Sequence, residues 1–159
     1  MFLSKNHIRK RDLVTRILQV IPSFDLAGAE VMCADMCIQA KKSKNEIYVI
    51  SLFSRKTSLS TKIEKEGIPI FFLNKRRGID LSIFKKIKRL VLEINPDVIH
   101  THLGALKYVV FALKNKYPIV HTAHNVASKE NSWLEKKLCK KWFKNNWVLL
   151  ICPPKIVPV

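Results

Sequence analysis

Apolar runs and amphipathic stretches alternate along most of this 159-residue chain, and they do so in a regular order. VTRILQVIPSF (14–24) is β-branched and apolar and is stopped by Pro22 and Ser23, which predicts a buried strand. GAEVMCADMCIQAKK (28–42) sets Val31, Ala34 and Ile38 at helical spacing. EIYVISLF (46–53) predicts a second strand. TSLSTKIEKEG (57–67) predicts a short helix, capped by Thr57 or Ser58 and closed by Gly67. IPIFFL (68–73) is a third strand, followed by the basic turn KRRG (75–78).

The clearest helix is DLSIFKKIKRLVLEIN (80–95). Asp80 is its expected cap, Phe84, Ile87, Val91 and Ile94 are its inward stripe, and Lys85, Lys86, Lys88 and Arg89 lie on its outer face. PDVIHTH (96–102) predicts a fourth strand, LGALKYVVFALKN a fourth helix, and PIVHTAH (118–124) a fifth strand. SWLEKKLCKKWFKNN (132–146) has the pattern of a basic amphipathic helix, and WVLLIC (147–152) of a sixth strand. Continuously apolar strands that alternate with helices imply a mostly parallel sheet covered on both faces. The expected fold class is therefore α/β: a doubly wound, Rossmann-like domain with right-handed crossovers. It is expected over residues 14–152, between a basic lead (1–13) and a short tail (153–159) whose PPKIVPV sequence reads as a connection to a further part.

Composition narrows the class. An apolar fraction of 48% excludes a disordered tail. The 29 lysines and arginines against 12 acidic residues, formally +17, make a surface that attracts polyanions: nucleic acid, anionic lipid or phosphorylated substrates. Charge alone does not choose among these, and a merely solvated basic surface remains an equal reading. The amino-terminal stretch lacks a secretory h-region and cleavage site, and no apolar run approaches the ~18 residues of a membrane span. The expected location is the cytoplasm, peripheral to the inner face of the membrane. Cys33 and Cys37 are one helical turn apart, and Cys139 and Cys152 are isolated. That pattern suits reduced, buried thiols rather than a disulfide framework or a zinc site.

In a doubly wound sheet, ligands bind outside the carboxyl ends of the strands, where strand order reverses between the first and fourth strands. Three polar loops converge there: SFDLAGAE (23–30), HTHLG (100–104) and HTAHN (121–125). Gly28 opens a helix whose free N–H groups and dipole can meet an anion. The alternative is a plain tight turn in which Glu30 complements the helix terminus. The segment is not a dinucleotide fingerprint. Strand alternation puts His100 and His102 on one side, with His102 nearer the crevice and His100 deeper in the core. His121 lies inside its strand, while His124 stands at the strand exit beside Asn125, where an imidazole can donate a hydrogen bond or relay a proton. An H-x-H pair can also begin a metal site, but no carboxylate lies between Asp97 and Glu130, so no metal is assigned.

ILQVIPSFDLAGAEVMCADM, INPDVIHTHLGALKYVV and PIVHTAHN, in this order and spacing, resemble the amino-terminal domain of family 4 retaining glycosyltransferases. The resemblance runs from about Val14 to Val148. It implies one half of a GT-B fold, the acceptor-binding half, in an enzyme that uses a sugar-nucleotide co-substrate and no other cofactor. It places Gly28, Ala29 and Glu30 near the donor phosphates, His102 near the acceptor or sugar, and His124, with Asn125, beside the transferred sugar as the catalytic histidine. Ala27 stands where many members have a further glycine, and the donor-binding half is missing from this sequence.

The expectation that follows is a hexosyltransferase-type fragment for cell-surface polysaccharide or glycolipid synthesis, inactive alone. Its expected partners are a sugar or lipid-linked acceptor, a chain carrying the donor half, and an anionic membrane met by Lys136, Lys137, Lys140, Lys141 and Lys144. Nucleic acid is not expected. Two other classes stand beside it: a non-catalytic basic module that binds a polyanion, and a histidine-rich metal-dependent hydrolase.

Overall fold

The computed structural model describes residues 14–53, 55–78, 80–114, 116–122 and 148–151. Six strands form one sheet: β1 (Arg16–Ile21), β2 (Glu46–Ser51), β3 (Ile70–Phe72), β4 (Val98–His102), β5 (Ile119–Thr122) and β6 (Val148–Ile151). Among the described residues, four helices lie between them: α1 (Gly28–Lys42), α2 (Ser58–Lys65), α3 (Ser82–Ile94) and α4 (Leu106–Leu113), the last entered through a 3-10 turn at Leu103–Ala105. The order is β3-β2-β1-β4-β5-β6 and every pairing is parallel. The expected doubly wound sheet is what the chain forms.

Alternation along the strands divides the core in two. Leu18, Val20, Ile50, Leu52, Ile99 and Ile119 pack beneath α3 and α4. Ile21, Ile47 and Val49 pack beneath α1 and α2, against Cys33, Cys37, Ile38 and Ile63. At the amino-terminal edge Arg16 ties four elements together. Its Nε donates to Glu46 Oε2 at 2.7 Å, its guanidinium reaches Ile94 O at 3.0 Å, and its backbone N–H donates to Asp97 Oδ2 at 2.7 Å. The Glu46 carboxylate, by hydrogen bond and charge, raises the guanidinium pKa further. Asp97, just before β4, thus works at the edge opposite the crevice.

Several boundaries differ from the sequence pattern for local reasons. β1 is shorter than 14–24 because Pro22 ends the ladder, and β3 has only three residues. α3 begins at Ser82, so Asp80 precedes the helix rather than sitting at its cap position. It still satisfies the first turn: Oδ1 accepts from Ser82 Oγ at 2.6 Å and Ser82 N at 3.1 Å, and Oδ2 from Arg76 N at 3.0 Å. These bonds, the Ser82 hydroxyl foremost, hold the Asp80 carboxyl below its ordinary pKa. Phe84 is half-buried rather than inward, and Ile83 and Leu90 take its place in the core stripe. The helix expected at 132–146 lies outside the described residues.

α2 has a reciprocal cap. Ser60 N donates to Thr57 Oγ1 and Thr57 N to Ser60 Oγ, at 3.4 and 2.9 Å. Thr57 Oγ1 also donates to Phe24 O at 2.6 Å, which fixes the loop leaving β1. Gly67 closes the helix at φ +72°, where a side chain is strained. Thr57→Ala is expected to cost about 1–2 kcal/mol in urea unfolding, with Thr57→Ser near wild type.

Candidate functional site

The crevice lies at the carboxyl edge, where β1 is flanked by β2 on one side and β4 on the other. Loop 22–27 leaves β1 into α1; Ala27, at the N-cap position just before the helix, is extended and offers no side-chain cap. The first bond back to the loop is Val31 N to Ala27 O, at 3.0 Å. A Cβ added at Gly28 would meet nothing within 4 Å, so the bare backbone faces open space. A fifteen-residue helix directs its positive end at this opening. Glu30 is buried, and its Oε2 has no hydrogen-bond partner among the described residues. A buried carboxylate oxygen without a partner is costly and calls for a donor from outside these residues.

The histidines form part of a buried polar layer. His100 and His102 share the α1 side of β4, with ring centroids 4.2 Å apart. His102, expected nearer the opening, is completely buried, and its Nε2–H donates to Gln19 Oε1 at 2.8 Å. His100 Nε2 lies 2.8 Å from Thr122 Oγ1. The pairing explains the layout: Gln19 is in register with His100, and His102 with Thr122. On the opposite face, His121 Nδ1 lies 3.1 Å from Thr101 O, an acceptor only, so Nδ1 carries the proton. At the exit of β4, Leu103 adopts φ +51°, a strained conformation for a bulky side chain.

Of the sequence candidates, the structure brings Gly28, Ala29 and Glu30 together on the first turn of α1 and places His102 in the adjoining strand. His124, Asn125, Lys136, Lys137, Lys140, Lys141 and Lys144 lie outside the described residues. Gln19 was not among the candidates, although a lone amide in an apolar run was its signal. Among the described residues no group of three or more His, Cys, Asp and Glu is placed to hold a metal ion. Cys33 and Cys37 lie on the buried face of α1. Hydrogen bonding to Cys37 and burial push the Cys33 thiol well above its ordinary pKa, helped by the Glu30 charge.

A parallel sheet whose strand order reverses at β1, with helices on both faces, defines a Rossmann-like module. Comparison makes the assignment specific. The family described as Glycosyltransferase Family 4 matches residues 26–154, and the chain belongs to that family. A glycosyltransferase from Rickettsia africae ESF-5 is similar in structure, with a TM-score of 0.58 at 19% identity, over 91% of this chain and 47% of that one. A UDP-N-acetylglucosamine 2-epimerase gives 0.52 at 14% identity, over 85% and 45%. A spinosyn rhamnosyltransferase solved with thymidine diphosphate gives 0.51 at 14%, over 91% and 48%. At these identities the likeness is one of fold, and the chain spans about half the length of each structure. No curated protein sequence matches significantly.

Two outcomes test the local chemistry. Gln19→Leu removes the acceptor of a buried N–H and is expected to lower unfolding stability by about 1–3 kcal/mol. The raised Cys33 pKa favours the neutral thiol in the folded state. Its stabilisation is complete below the unfolded thiol pKa and falls as pH rises toward the folded value. Cys33→Ala should therefore flatten the alkaline decline of stability, measured by denaturation across the alkaline range.

Proposed function

We propose that the chain is the acceptor-side half of a retaining glycosyltransferase that takes a sugar nucleotide as donor. The observation that carries this reading is the uncapped amino terminus of α1, opening at the strand-order reversal. Gly28 and Ala29 offer backbone N–H groups to the donor pyrophosphate, with Gly28 permitting close approach. Glu30, with its unpartnered Oε2, accepts from a sugar hydroxyl or from a group on the donor half. His102, held by Gln19, orients the acceptor side of the crevice, and His124 with Asn125 supplies the hydrogen bond to the transferred sugar. No metal and no further cofactor enters this scheme.

Transfer requires a donor fixed between two walls, because orientation and preorganised charge account for most of the rate. The described residues supply one wall. The chain is therefore inactive alone in this reading and acts with a donor-binding half, supplied by a partner chain or further sequence. The setting is cell-surface polysaccharide or glycolipid synthesis at the cytoplasmic face of the membrane, on a sugar or lipid-linked acceptor. No helix among the described residues is long and apolar enough to cross a membrane, which suits peripheral attachment. Lys136, Lys137, Lys140, Lys141 and Lys144, which lie outside the described residues, are assigned to membrane contact in this scheme.

Titration with inorganic pyrophosphate, followed by amide NMR, tests the phosphate-meeting role without the second half. Shifts are expected at the amides of residues 28–31. Gly28→Val should weaken binding about tenfold by obstructing backbone approach. Its thermal midpoint should stay close to wild type, because the added side chain enters open space. Shifts confined to distant lysines would contradict the assignment.

A further inference from the structure

A buried cation stands at the carboxyl edge of the sheet with no carboxylate paired to it among the described residues. Lys75, in the turn that leaves β3, is only 8% exposed. Its Nζ donates to Arg76 O and Gly78 O at 2.8 and 2.9 Å. The same atom lies 5.3 Å from the Phe53 ring centroid and 5.5 Å from that of Tyr108. Carbonyls and ring faces hold an ammonium in place, but they carry no net charge to cancel it. None of the ion pairs among the described residues includes Lys75. The turn therefore keeps a full positive charge where water screens it little.

Beside this charge a groove of about 220 Å³ opens between the entry to α3 and the first two turns of α4. Gly78 and Tyr108 belong both to the groove and to the surroundings of the Lys75 ammonium. The floor is aromatic: Phe84 meets Tyr108 and Phe111 at centroid distances of 6.2 and 6.1 Å. Lys107 also lines the groove, with Nζ 5.6 Å from the Tyr108 ring, so two ammonium groups approach one ring. Against these two cations stands the Asp80 carboxylate, and the groove keeps an excess of positive charge. Asp80 accepts three hydrogen bonds, from Arg76 N, Ser82 N and Ser82 Oγ, and so retains about one of its roughly four acceptor sites. The groove is thus apolar in surface, positive in field and provided with one hydrogen-bond acceptor at its rim. It is smaller than the roughly 300–1,000 Å³ of pockets for drug-sized ligands, which suits a single ring.

We infer that this groove binds an acidic sugar, one pyranose ring carrying a carboxylate. The C–H face of a pyranose stacks on electron-rich ring faces such as those of Tyr108 and Phe111. The carboxylate meets Lys107 and the field of Lys75, and a ring hydroxyl donates to the remaining acceptor site of Asp80. A neutral sugar would leave the positive charge unanswered, and an apolar acid would leave Asp80 without its donor. The turn at 75–78 leaves β3, and α4 follows β4, at the carboxyl edge that also holds the crevice. An acidic unit seated here therefore holds an acceptor chain along that edge. That the ligand is a sugar rests on the transferase reading; the positive, aromatic groove does not.

Amide NMR titration of the full chain with glucuronic acid at neutral pH tests the groove, beside glucose, benzoate and inorganic phosphate. Saturable shifts are expected at Gly78, Leu81, Lys107 and Tyr108, and rising salt should weaken them. Glucose, without the charge, and benzoate, without the hydroxyls, should each bind roughly fivefold or more weakly. Lys107→Gln should lower glucuronate affinity by a similar factor and leave glucose binding unchanged. Phe111→Ser, at a position 52% exposed, should weaken both sugars. Circular dichroism checks that both variants fold. Absence of shifts at these residues, equal binding of glucose, or wild-type affinity in either variant overturns the proposal. Equal binding of benzoate or inorganic phosphate also overturns it, by assigning the groove to anions at large. Pyrophosphate added to the same samples reads residues 28–31 separately, so failure in the groove leaves the transferase reading to its own test.

Discussion

The site depends on β1 being paired in parallel on both sides, with β2 along Arg16–Ser51 partners and with β4 from Ile17 to Thr101. A right-handed crossover carries the chain one way through α1 and α2, and after β3 it must return across the sheet to build β4. The two series of loops therefore part at the carboxyl end of β1, and a crevice opens without any residue being spent on making it. Arg16 secures the same strand at its other end, through Glu46, Ile94 O and Asp97. One edge is closed by charge and hydrogen bonds, and the other is left to ligands.

The same strand pairing brings polar side chains into the interior. Gln19, His100, His102 and Thr122 line up across β1, β4 and β5 because register, not sequence proximity, makes them neighbours. Buried polar groups are tolerated when each is bonded, and the 2.8 Å contacts of both histidines meet that condition. Glu30 Oε2 is the contrast, a buried oxygen without a partner among the described residues. A satisfied layer and an unsatisfied carboxylate next to the same crevice suit a rigid wall that expects a ligand.

The fold was legible because its signals are periodic. Apolar strands, the Thr57 cap, Gly67 and the α3 stripe each state their structure within a short window, and the strand order is the one common to doubly wound sheets. The site was legible only as far as the loops leaving each strand. His102 was read as the member of its pair nearer the crevice because it lies nearer the strand end; that it is completely buried and bonded to Gln19, eighty-three residues away, was not visible locally. Lys75 was read as part of a basic turn, yet it is buried beneath Tyr108 and bonded to two carbonyls. Partners across the sheet decide such cases, and no local pattern carries them. The family resemblance, by contrast, lay in three motifs that local reading could quote, and the match over residues 26–154 bears it out.

The central claim is that this chain is one wall of a sugar-transfer site. It is tested most directly by assaying sugar-nucleotide turnover, first with the 159-residue chain alone and then with the same chain fused to a family 4 donor-binding half. The account predicts no hydrolysis or transfer by the chain alone and transfer by the fusion, abolished by Gly28→Val. Turnover by the isolated chain, or fusion activity indifferent to Gly28→Val, would contradict it.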